Sequence, residues 1–166
     1  MQKSEKYLIR SKYSLLGDKF IVRNVLSNKE YSARKTFYLN LNVKVFHGPD
    51  FKELYFQLKQ RNSFFNRSHD LEDSSGIVFA KINIINMDWV ITDLVVDKVY
   101  KVQVDTNSKQ ITLSPNITSF KIMNDDKKAA EFKYVDLNTT ELNFYDQKNF
   151  ALDRRLGIAF ALYINI

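Results

Sequence analysis

With 166 residues, the chain is long enough to bury a substantial core, and two independent domains would each be unusually small. With 4 Gly, 2 Pro and 45% hydrophobic residues it is not collagen-like, low-complexity or disordered, and the absence of cysteine removes disulfides, thiolate catalysis, cysteine-ligated zinc and iron–sulfur clusters. An excess of 25 Lys and Arg over 19 Asp and Glu gives +6 and favours an anionic surface or polymer as partner, although a modest charge also serves solubility.

The opening, Met1 to Lys12, has no apolar core of signal-peptide length, so the chain reads as cytoplasmic. From Lys12 onward the dominant signal is period-two alternation, which marks strands with one buried and one wet face. Leu54, Phe56 and Leu58 oppose Tyr55, Gln57, Lys59 and Arg61. Val78, Ala80, Ile82 and Ile84 oppose Phe79, Lys81 and Asn83. Tyr100, Val102 and Val104 oppose Lys101, Gln103 and Asp105, and Ala130, Phe132 and Tyr134 oppose Glu131 and Lys133. Turn residues cluster at 26–29, 48–50, 73–76, 105–108 and 124–126, close enough together for antiparallel hairpins.

A degenerate period aligns Lys12, Lys35, Lys59, Lys81, Lys109 and Lys133, each followed by a second apolar run: 20–22, 41–45, 64–65, 89–91, 117–120 and 142–144. Six two-strand units make about twelve strands. The final segment, 153–166, is apolar without alternation; Asp153 suits an N-cap, and its alanines favour helix over a buried strand. Such a helix must be surrounded, and at about 21 Å it is too short for a usual membrane span but matches the length of a strand. A barrel of about eight strands holds only side chains, whereas one of about eleven or more encloses a helix. The expected fold is therefore mainly β, a closed antiparallel barrel of about twelve strands around a C-terminal helix, forming one domain over 1–166.

Three segments carry a resemblance. Lys12 to Val22 resembles the first hairpin, Lys52 to Gln60 the recurrent strand, and Ala151 to Asn165 the buried C-terminal helix of the tubby C-terminal-like superfamily, which includes LURP-one-related proteins, phospholipid scramblases and small bacterial members. The resemblance implies a twelve-stranded barrel around a helix. It also implies a non-enzymatic domain that binds anionic phospholipid head groups or docks a partner protein, peripheral at the inner membrane surface. The family's lipid-binding motif, calcium loop and palmitoylated cysteines have no counterpart here.

Among candidate sites, Lys59, Arg61, Phe64, Phe65 and Arg67 bracket two aromatic rings with cations, a pattern that meets phosphates and an interfacial layer or bases. The alternative places Phe64 or Phe65 in the core and leaves the cations solvated. His47 beside Gly48-Pro49 and His69 beside Asp70 read as surface-loop residues without a catalytic partner set, and Glu72-Asp73 and Asp125-Asp126 read as turns. No glycine-rich phosphate loop is present. Arg154-Arg155 opposes the helix dipole, which calls for pairing with Asp146 or Asp153 or marks an anion site. No catalytic group, metal or cofactor is assigned. A nucleic-acid-binding module and an unrecognised hydrolase built on His69-Asp70 are the alternative functions.

Overall fold

A computed structural model describes residues 5–12, 17–36, 40–61, 68–106, 117–136, 138–146 and 150–164. Twelve strands close into one antiparallel barrel in chain order. They are β1 (Glu5–Lys12), β2 (Asp18–Asn24), β3 (Glu30–Thr36), β4 (Asn42–His47), β5 (Glu53–Arg61), β6 (Ser68–Asp73), β7 (Val78–Ile85), β8 (Asp88–Asp93), β9 (Lys98–Thr106), β10 (Ile117–Asn124), β11 (Lys127–Asp136) and β12 (Thr139–Phe144). The single helix described, α1, spans Arg154–Ile164.

Alternation gives each strand its two faces. Tyr7 and Ile9, Phe20 and Val22, Phe56 and Leu58, and Ala130 and Phe132 are all buried inward. Leu156 to Leu162 of α1 are buried on every side. Phe160 meets Trp89, Phe120 and Phe132 from three strands at ring distances of 6.1, 6.3 and 5.7 Å. A β-carbon at Gly157 would lie 2.5 Å from Phe144 Cζ, so glycine is what lets the helix lie against β12. The helix therefore is the core, which is why it needs no polar face.

Asp153 caps α1 through Oδ1, which accepts from the Arg155 amide at 2.9 Å; it stands just before the helix rather than inside it, and 165–166 lie outside the described residues. Arg154 pairs with Asp146 at 2.6 Å and Glu5 at 3.1 Å, and Arg155 with Asp153 at 2.6 Å, so both cations facing the positive end of the dipole are neutralised. No basic residue lies in the last turn of α1. That role falls to Lys35 of β3, whose Nζ donates to the Leu162 and Tyr163 carbonyls at 3.2 and 3.1 Å from inside the barrel. Burial pushes its ammonium down to about 8.

The repeat marked by lysines holds, because Lys12, Lys35, Lys59, Lys81 and Lys133 each lie on the first strand of a two-strand unit; Lys109 lies outside the described residues. Several boundaries differ from the sequence reading. The first strand is Glu5–Lys12, because Tyr7 and Ile9 alternate inward, while Tyr13 to Leu16 lie outside the described residues. The partner of β5 is β6, a strand of polar composition, and the expected run at 64–65 lies outside the described residues. Asp105 and Thr106 continue β9 rather than starting a turn. Among the described residues no helix is long and apolar enough to cross a membrane.

Candidate anion-binding face

Lys59 and Arg61 lie on the outer face of β5, but they do not present free charge. Lys59 Nζ donates to Glu72 Oε2 at 2.6 Å, and Arg61 donates to Asp70 at 2.7 Å and Glu72 at 3.0 Å. The hydrogen bond from Arg61 to Asp70, with that carboxylate's charge, pushes the guanidinium above its ordinary range. Gln57 adds a further donor to Glu72 at 3.1 Å. These cations explain how the polar sequence of β6 can form a strand, since they cover its outward acids. Phe64, Phe65 and Arg67 lie outside the described residues.

Neither histidine is a surface-loop residue. His69 is 2% exposed on the inner face of β6, with its ring 4.6 Å from that of Tyr163 on α1. It shares the inward phase of Leu71, the signal that places it. His47 ends β4 and packs at 4.4 Å on Tyr55. Among the described residues no group of His, Asp and Glu converges as metal ligands would.

The strand register brings together a different set of cations. Lys12 of β1 lies opposite Lys19 of β2, Lys19 opposite Arg34 of β3, and Arg34 opposite Lys44 of β4. All four occupy the outward phase of their strands, and the row spans about 14 Å at ~4.8 Å per strand. It stops at β5, where Lys44 faces the neutral Gln57 and the next residue across is Glu72. No ion pair holds any of the four among the described residues. Arg34, Lys12 and Lys44 are exposed and Lys19 is half-buried.

Like charges directly opposite one another on neighbouring strands are destabilising, so three consecutive mismatches run against the stability of the sheet. An aromatic ring accompanies them. Phe51, in the β4–β5 turn, folds over this face with Lys19 Nζ 5.9 Å and Arg34 Cζ 5.4 Å from its centroid, and it packs edge-on against Phe46 at 5.8 Å. Its φ of 55° is left-handed, an uncommon conformation for a bulky side chain. A strained aromatic thus sits beside a row of cations that hold no ion pair among the described residues, and local violations of this kind gather at functional sites.

Sequence reading missed this row because its members stand 7, 15 and 10 positions apart and no motif links them. The available signal was their shared polar phase, which becomes a row only once register is known. No protein-family model and no curated protein matches the chain.

Proposed function

We propose that this chain is a non-enzymatic binding domain that docks on anionic phospholipid head groups through the cation row Lys12, Lys19, Arg34 and Lys44. The observation that carries the reading is that these four cations face one another without carboxylate partners among the described residues, whereas Lys59, Arg61, Arg154 and Arg155 are paired. The interior is filled by α1, which leaves the outer surface as the place to bind. Each cation near an anionic surface contributes about 1 kcal/mol, so four supply about 4 kcal/mol, equivalent to a dissociation constant of about 1 mM. Attachment is then peripheral and reversible, at the cytoplasmic surface of the inner membrane. A place in the tubby C-terminal-like superfamily belongs to the same proposal, supported by the twelve-stranded barrel and its apolar C-terminal helix.

Co-sedimentation with phosphatidylserine vesicles and with neutral vesicles tests this. Wild type is expected to pellet with the anionic vesicles only, at about 0.1 M salt, and to release near 1 M, where the screening length falls from ~10 to ~3 Å. Lys19→Glu with Lys44→Glu should weaken pelleting at least tenfold and leave the melting temperature unchanged or raised, since it turns all three like-charge contacts of the row into opposite-charge ones. Equal pelleting with neutral vesicles, resistance to salt, or a double variant that binds like wild type would overturn the assignment. Tighter binding to a single-stranded oligonucleotide than to vesicles would transfer the site to nucleic acid.

A further inference from the structure

One polar side chain on the outward face of β3 is sealed from solvent. Glu30, Ser32 and Arg34 share the outward phase of this strand, since Tyr31, Ala33 and Lys35 point into the barrel. Glu30 is half-buried and Arg34 exposed, yet Ser32 between them is 0% exposed, and its Oγ has no hydrogen-bond partner. An outward residue in this state lies under a cover. A buried hydroxyl left unpaired works against the fold, and such groups are rare enough in native structures to call for a reason.

The cover is the β4–β5 turn, 48–52. Gly48, at a φ of 68°, stays bonded to β3 through its amide, which donates to the Glu30 carbonyl at 3.0 Å. After Pro49 and Asp50 the chain doubles back and lays Phe51 on the outer face. Ser32 stands opposite Ile21 on β2 and Phe46 on β4. The Phe51 ring meets Phe46 at 5.8 Å, Arg34 at 5.4 Å and Lys19, which faces Arg34, at 5.9 Å. These three surround Ser32, so the ring closes over the hydroxyl while it holds two cations. It does so with a left-handed backbone, which a bulky residue adopts only under strain.

We infer that Phe51 is a displaceable cover on a phosphate subsite formed by Ser32, Lys19 and Arg34, and that a bound phosphate takes the place of the ring. The inference rests on the head-group reading and refines it to one point of the cation row. With the ring gone, the Ser32 hydroxyl becomes a donor on the floor of a pocket walled by Ile21 and Phe46. Arg34 stands two residues along the strand, roughly 7 Å away, and Lys19 opposite it at roughly 5 Å, distances that their long side chains span to reach one phosphate. A phosphate accepts charge-assisted hydrogen bonds from all three groups, whereas the ring gives the cations a weaker contact and the hydroxyl no hydrogen bond. The carboxylates nearby are Glu30, which stands opposite Arg23, and Asp50, which belongs to the turn that moves. The group recognised is a phosphate ester, on a lipid head group or free in solution.

Glycerophosphoserine, a soluble phosphate ester, is titrated into the intact chain at constant ionic strength and followed by amide NMR, alongside vesicle co-sedimentation. Shifts are expected to centre on Ser32, Arg34 and Phe51. Phe51→Ala should tighten glycerophosphoserine binding by roughly threefold or more, because nothing then competes for the two cations. Ser32→Ala should weaken it by roughly threefold or more, in the wild-type and in the Phe51→Ala chain alike, and leave the melting temperature unchanged or raised, since it removes an unpaired hydroxyl. Weaker binding by Phe51→Ala, no loss in Ser32→Ala, or no detectable binding by Phe51→Ala, in which the subsite stands open, would overturn the inference. The two readings fail separately. Wild type that pellets with phosphatidylserine vesicles, with both variants binding glycerophosphoserine as wild type does, refutes the cover alone. Tighter binding in Phe51→Ala without any vesicle pelleting supports the cover, refutes the head-group reading and assigns the subsite to a free phosphate ester.

Discussion

Burying Lys35 makes stability depend on pH in an unusual direction. Its ammonium is 0% exposed and holds the last carbonyls of α1, with burial lowering it from 10.5 to about 8 and Asp18 acting weakly the other way. Between these values the unfolded chain binds a proton that the folded chain has released, so stability rises with pH. At 1.36 kcal/mol per unit the whole drop is worth about 3 kcal/mol, and most of it is recovered on going from pH 7 to pH 10. For a chain of this length that raises the melting temperature by roughly 5–10 °C. Above pH 10 the trend reverses. Burial raises Tyr7 and Tyr100 to about 12, so both phenols stay protonated only in the folded state, and their contribution is lost as pH climbs through that range. Lys35→Met keeps the length of the side chain and removes the titration. Its stability at pH 7 is set by two opposing effects, loss of the donors to Leu162 and Tyr163 and relief of a buried charge, but its slope between pH 7 and 10 should be flat from this source. Thermal melts of both proteins across that range decide the matter. Equal slopes in wild type and variant would refute the claim that a buried, partly desolvated Lys35 closes the helix.

Other consequences follow from the helix and its surroundings. Deleting 154–166 removes large buried side chains worth about 1.5–3 kcal/mol each, against a typical total of ~5–15 kcal/mol, so the truncated chain should show no cooperative melt. Gly157→Ala forces Phe144 aside and should cost about 1–3 kcal/mol in denaturant titrations, with Phe144→Leu in the same chain restoring part of it. His69→Ala should destabilise by several degrees through its packing on Tyr163 while leaving vesicle binding of the remaining folded protein intact, read by co-sedimentation at low temperature.

The barrel was legible in the sequence because each odd strand carries its own alternation and α1 carries none. Asp153 was legible as a cap, and Arg154 and Arg155 as needing partners, since both follow from local chemistry along one segment. Lys35 was half-legible: it shares the inward phase of Tyr31 and Ala33, but its target is a helix end more than a hundred residues away. His69 was hidden because Asp70 and Glu72 make its strand look like a polar turn until Lys59 and Arg61 are placed over them. The cation row is a product of register between strands. Register arises from many pairings at once, so the row is not written in a short stretch of chain.

The central claim is that β1 to β4 present the face that meets anionic lipid. The most direct measurement is amide NMR of the intact chain on nanodiscs containing phosphatidylserine and a gadolinium-chelating lipid. Paramagnetic broadening is expected to centre on Lys12, Lys19, Arg34, Lys44 and Phe51 and to spare β8 and β9. Broadening centred on Lys59 and Arg61, or on β8 and β9, would contradict it.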